Sequence, residues 1–173
     1  MHYCLTIFFI LAVIQNCLAS NTNGDIFMHG ILVEEPCSLN INSTNQTVNL
    51  GNVIKNTLYL HPRTHNYPFS IILEECDLSL GNSVEMSFSG TADLLQPDLL
   101  AINGTAQGFA IGLETETGTP IHINKTINIY QLSPDKTTIN FSVYLQAPQS
   151  IREKEEIIEG NFSATVNFTL NYP

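Results

Sequence analysis

Apolar and polar positions alternate through most of this chain, in short runs broken by Gly, Pro, Asn and Asp. The clearest run is the last. Phe162, Ala164, Val166, Phe168, Leu170 and Tyr172 alternate with Ser163, Thr165, Asn167, Thr169 and Asn171. A period of two marks a strand with one face made for a core. Earlier runs are "DIFMHGILVEEPC", "QTVNLGNV", "PFSIILEEC", "SVEMSFSGTA", "GFAIGLETETGTPIHI" and "TINFSVYLQA". Strands at this spacing predict an all-β sandwich. The clearest hairpin spans Gly108 to Leu113, turns around Glu116 to Gly118 and returns through Ile121 and Ile123. "LLQPDLLAIN" (Leu94 to Asn103) is either a short helical turn or a loop that switches sheets. "SIREKEEIIEG" (Ser150 to Gly160) reads as a solvated loop before the last strand. No internal repeat or long linker interrupts the pattern. The last strand poses a question, because no later strand follows to pair with it.

The first residues change the picture of where the protein acts. "LTIFFILAVI" (Leu5 to Ile14) is too short to span a bilayer and is followed by "QNCLAS". An apolar run of this length before small residues is the pattern of a secretory signal peptide. It predicts a signal segment over 1–19, cut after Ala19, and an exported chain with no second run of membrane length. A lipidated Cys17 fits poorly with Gln15 and Asn16 before it. Removal of the signal leaves Cys37 and Cys76, which in an oxidising compartment most simply form one disulfide. Their spacing is not that of a paired zinc site. A loop of roughly 40 residues closed this way is stabilised by about 4 kcal/mol in the chain-entropy model. About 150 mature residues make one domain with a sizeable core. A formal charge of -10 excludes ordinary nucleic-acid binding, which needs a basic surface.

Candidate chemistry is sparse. An active site needs a base, a nucleophile and a group that orients them. His61 and His65 in "LHPRTHNYP" stand four apart, but Pro62 argues against the helix that would bring them to one face. Glu74 and Glu75, adjacent in a strand, are expected on opposite sides. The sequence holds no GxSxG, HExxH, CxxC or phosphate loop, so no enzyme, cofactor or metal is expected. Asn-x-Ser/Thr triplets occur at Asn42, Asn45, Asn103, Asn124, Asn140, Asn161 and Asn167. They suggest a glycosylated secreted protein. A chain this rich in Asn, Ser and Thr also produces such triplets by chance, and several fall on strands whose outer face must be polar.

A constellation in fixed order is more specific. "GILVEEPC" runs into Cys37, "NQTVNLGNV" follows, "FSIILEEC" carries Cys76, "MSFSGTA" comes next, and an alternating strand with a penultimate Tyr172 closes the chain. Over essentially the whole mature chain this order resembles the chaperone-usher pilins, the family of type 1 and P pilus subunits. The resemblance implies an incomplete immunoglobulin-like sandwich that lacks its final strand. It implies donor-strand exchange, in which a periplasmic chaperone and then the N-terminal extension of a neighbouring pilin fill the groove, with an outer-membrane usher as a further partner. Residues 20–30 would be the donor extension and 31–173 the pilin domain. Gly24, Ile26, Met28 and Gly30 share one parity in the donor. Phe162, Val166, Phe168, Leu170 and Tyr172 would form the edge that faces the chaperone. Asn21 falls where the family places an apolar residue for the outermost pocket, which implies a minor pilin near the tip or base. The expected function is that of a structural fimbrial subunit contributing to cell adhesion, in transit through the periplasm and then on the cell surface. The rival reading is a complete secreted immunoglobulin-like glycoprotein that binds a partner through its loops.

Overall fold

The computed structural model describes residues 26–32 and 34–173. The expected signal segment, Asn21 and Gly24 lie outside the described residues. Residues 26–32 belong to a unit separate from Glu34–Pro173. They have no regular secondary structure, and Ile26, Phe27, Met28, Ile31 and Leu32 are exposed.

From Glu34 onward the order is β1 (Ser38–Leu39), α1 (Ile41–Thr44), α2 (Lys55–Leu60), β2 (Tyr67–Cys76), β3 (Ser83–Gly90), β4 (Asn103–Gly104), β5 (Ala110–Thr115), β6 (Pro120–Ile121), β7 (Ile127–Gln131), β8 (Asp135–Gln146), α3 (Gln149–Glu153), β9 (Phe162–Ser163) and β10 (Val166–Asn171). One sheet runs β1-β2-β8-β5-β6, a second runs β10-β3-β7, and β4 pairs with β9. Every pairing is antiparallel. The core lies between the larger sheets. Ile71, Leu73, Leu113, Ile139, Phe141, Val143 and Leu145 from the first join Val84, Met86 and Phe88 from the second in one buried cluster. Phe141 marks the centre. Its ring stacks on Phe69 at 5.3 Å and meets the edges of Phe88 at 5.2 Å and Tyr130 at 5.8 Å. Aromatic pairs at such offsets add to the burial energy of the rings.

The Cys37–Cys76 disulfide is formed and joins the chain before β1 to the end of β2. It depends on a bulge between Glu74 and Cys76, where Glu75 takes a φ of 56°. Ile71 and Leu73 face the core on odd positions, and the extra residue turns Cys76 inward in place of Glu75. The expectation that Glu74 and Glu75 simply alternate across the strand is corrected by this bulge.

Other expectations shift as well. The hairpin begins at Ala110 and turns where Gly118, at φ 80°, donates its N–H to the Thr115 carbonyl. Of the two alternatives for Leu94 to Asn103, the loop is the one formed, over 94–102 and bridged at Leu100 to Ile111, with Leu94 and Leu95 exposed and Leu99 and Leu100 buried. The stretch before the last strand contains α3 and buries Ile157. "QTVNLGNV" is not a strand, because no backbone ladder pairs with it among the described residues. Strand β7 is an addition to the elements expected from the pattern. Its isoleucines, Ile127 and Ile129, face outward and Asn128 and Tyr130 face inward, so apolarity reads the wrong face.

Candidate functional site

Strand β10 has one neighbour among the described residues, β3, paired from Val166 with Gly90 to Asn171 with Glu85. In an antiparallel ladder alternate backbone groups point to each side, so those on the far edge of β10 have no strand to meet. The side chains alternate as the sequence predicts. Phe162, Ala164, Val166, Phe168, Leu170 and Tyr172 face the core, and the residues between them are exposed. All six remain only half-buried, so the stripe has a floor but no roof.

The opposite bank is the segment 45–53. Outside the helices, none of its backbone groups makes a backbone hydrogen bond among the described residues. It is held by side chains and by its ends: Gln46 donates to the Ser70 carbonyl, Asn49 accepts from Gly51 N–H, and Ser43 in α1 accepts from Ile72 N–H. Val48, Leu50 and Val53 turn toward the core and are half-buried. Between residues 46–53 and residues 160–166, at the start of β10, lies a groove of about 710 Å³, with Leu100, Ile111 and Val143 also lining it. It meets a second hollow of about 510 Å³ at Val53, Gly160 and Phe162, where Leu58, Ala106, Phe109 and Leu145 form the lining.

Both ends of the groove are tied. The Tyr172 hydroxyl donates to the Cys37 carbonyl at 3.4 Å. Burial pushes the Tyr172 phenol pKa up, and the Glu35 carboxylate adds to the shift. At the other end the Tyr59 hydroxyl donates to the Glu155 carbonyl and accepts from Ile157 N–H. Lys55 and Glu159 form an ion pair at 2.8 Å there. The start of the last strand is set by β4. At Gly104, with φ of 136°, a Cβ would collide with the Asn161 carbonyl, so a glycine permits the Gly104–Phe162 pairing.

Phe162, Val166, Phe168, Leu170 and Tyr172 thus lie on the core-facing side of the terminal run, and of these Phe162 and Val166 line the groove. Ile26, Met28 and Gly30 lie in the separate N-terminal unit. The seven Asn-x-Ser/Thr asparagines include Asn124, whose amide is occupied by hydrogen bonds to both Gly90 N–H and the Gly90 carbonyl. His61 caps the end of α2, and His65 rests on Tyr67 at 4.4 Å. Sequence reasoning missed one polar cluster. Glu114, 1% exposed, accepts from Arg63 at 2.5 Å, from Ser142 at 3.2 Å and from Asn66. The Arg63 guanidinium also lies 4.5 Å from the Tyr144 ring centroid. This cluster docks the loop containing Arg63 against the outer face of β5 and β8, and nothing in the local pattern sets Glu114 apart from Glu116 two residues on.

An exposed strand edge above an uncovered core stripe is an acceptor for one more strand. This is the architecture of the pilin class, an immunoglobulin-like sandwich with one strand position open. The chain belongs to the fimbrial protein family, whose model matches residues 23–173. It is 30% identical to the fimbria A protein of Serratia marcescens over 154 residues, spanning 89% of this chain and 87% of that one. It is 29% identical to the probable major fimbrial subunit LpfA of Escherichia coli O157:H7 over 158 residues, spanning 89% and 86%. The fold matches that of the P pilus rod subunit PapA with a TM-score of 0.69 at 23% identity, over 80% of this chain and 100% of that one. The protein is a structural subunit of surface fimbriae.

Proposed function

We propose that the groove is completed by a strand from another polypeptide, first a periplasmic chaperone and then the N-terminal extension of a neighbouring subunit delivered at the outer-membrane usher. The observation that carries this reading is the pairing of two unsatisfied banks, the outer edge of β10 and the segment 45–53, over a half-buried stripe. Strand addition satisfies such backbone groups and seats alternate side chains in pockets, a mode of recognition of which pilin complementation is itself a known example. Each apolar side chain buried by the donor contributes roughly 1.5 to 3 kcal/mol. A covered groove also removes an aggregation-prone edge.

The chain's own donor would be residues 20–30, exported behind the signal segment 1–19 and offered to the groove of the next subunit. Ile26 and Met28 are its apolar side chains, with Gly24 and Gly30 on the same parity. Steps of two from Gly24 reach Thr22 rather than Asn21, and both are polar, so this end of the donor carries no apolar anchor. The polar end is the feature that favours a minor position in the fibre. In the other direction the parity continues past Gly30 to Leu32, an exposed apolar side chain. The donor stripe therefore extends beyond residue 30.

Co-expression of the chain with a pilus chaperone in a periplasm tests the reading. Phe168→Ala and Tyr172→Ala are expected to reduce the fraction captured by the chaperone and the steady-state level of the subunit. Wild-type capture and levels in both variants would contradict it.

A further inference from the structure

The Lys55–Glu159 ion pair joins the two banks at one end of the groove. Lys55 opens α2 on one bank, and Glu159 lies just ahead of β9 on the other. Both side chains line the hollow of about 510 Å³. The neighbouring tie through Tyr59 consists of hydrogen bonds to backbone groups in the Glu155–Ile157 segment. The ion pair is different in kind. Its side chains are 42% and 73% exposed, so it can open without disturbing the core.

Sheet geometry sets which part of a donor reaches this pair. Every strand pairing in the fold is antiparallel, and a donor added beside β10 in the same sense would run from the Leu170 end toward the Phe162 end. In that direction the last donor residues on the parity of Ile26, Met28 and Gly30, Leu32 and then Glu34, would come nearest the hollow beside Phe162. Successive same-face residues in a strand are about 6.6 to 6.8 Å apart. Leu32 suits the apolar lining of Leu58, Ala106 and Phe109, and the following carboxylate meets the mouth where Lys55 stands.

We propose that Lys55 and Glu159 form a charge gate that selects donors carrying a carboxylate two residues after their last apolar groove side chain. Glu159 holds Lys55 until such a donor arrives, and Lys55 then exchanges Glu159 for the incoming carboxylate. The donor that fits is Leu32–Glu34 of a second copy of this chain. The inference rests on the strand-addition reading and adds to it the identity of the selecting residues.

The test uses the full chain held by its chaperone and a fluorescent peptide of residues 20–35, with and without Glu34→Gln, and follows the rate at which the peptide becomes stably bound. Glu159→Gln is expected to accelerate uptake of the native peptide by about two- to fivefold, the size expected of one exposed ion pair. Lys55→Gln is expected to abolish the preference for native over Glu34→Gln peptide, and high salt to shrink that preference in the unsubstituted chain. Equal uptake of the two peptides by the unsubstituted chain, or no acceleration in Glu159→Gln, would overturn the gate while leaving strand addition standing. Failure of every variant to take up either peptide would overturn strand addition and the gate with it.

Discussion

Strands β8 and β10 begin from the same pattern and reach different states. In β8, Thr137, Ile139, Phe141, Val143 and Leu145 alternate on the core face and all are buried, with β2 on one side and β5 on the other. In the terminal run, Phe162 to Tyr172 alternate just as regularly, yet none of the six core-facing side chains is buried, and β10 has β3 alone beside it. Alternation records that a strand has a core face. Whether that face is covered depends on the neighbours, and here the neighbour that would cover it is missing from the unit Glu34–Pro173. On the strand-addition proposal, the difference assigns the roles: β8 supplies the rigid floor and β10 the edge at which a partner is added.

Substitutions can break or sharpen this contrast. The largest effect is expected from Phe141→Ala, which removes a ring at the centre of the core and should cost about 3–5 kcal/mol in denaturant unfolding, with or without a donor strand. Replacing Cys37 and Cys76 by Ser should cost about 2–5 kcal/mol and, by loosening the segment tied to Tyr172, should weaken donor binding as well. Phe168→Ala should behave differently from Phe141→Ala. Its cost should be small in the uncovered chain and rise several-fold in the donor-complemented chain, because only the donor makes that ring fully buried. Arg63→Met should cost about 1–3 kcal/mol in both states by leaving the buried Glu114 carboxylate short of a partner, and thermal unfolding would detect it. The smallest effect is expected at Thr169→Ser on the outer face of β10, within about 0.5 kcal/mol in either state.

Much of this contrast was legible before any coordinates. The parity of Phe162 to Tyr172 and the hairpin around Gly118 follow from side-chain periodicity and turn chemistry, which are local, and the Cys37–Cys76 pairing from the cysteine count expected in an oxidising compartment. The misses came from interactions between distant segments. Val48 and Leu50 alternate like strand residues but lie on a bank without a neighbour, and no local signal reports a missing partner. Ile127 and Ile129 point outward because β3 and the core take Tyr130 on the inner face, which inverts the apparent parity of β7. Cys76 faces inward through a bulge at Glu75 that adds one residue to the count. The core-facing parity of the last strand could therefore be read from sequence, whereas the bank opposite it and the ion pair at its end required the fold.

The central claim is that the sandwich is one strand short and that the chain's own N-terminal segment has the pattern to complete it. The most direct measurement compares denaturant unfolding and size-exclusion behaviour of the exported chain with those of the same chain carrying a flexible linker and a copy of residues 20–33 at its C-terminus. The account predicts that the plain chain aggregates or unfolds at low denaturant, and that the added strand yields a monomer with a markedly higher unfolding midpoint. A plain chain that is already a stable monomer, with a midpoint unchanged by the added strand, would contradict it.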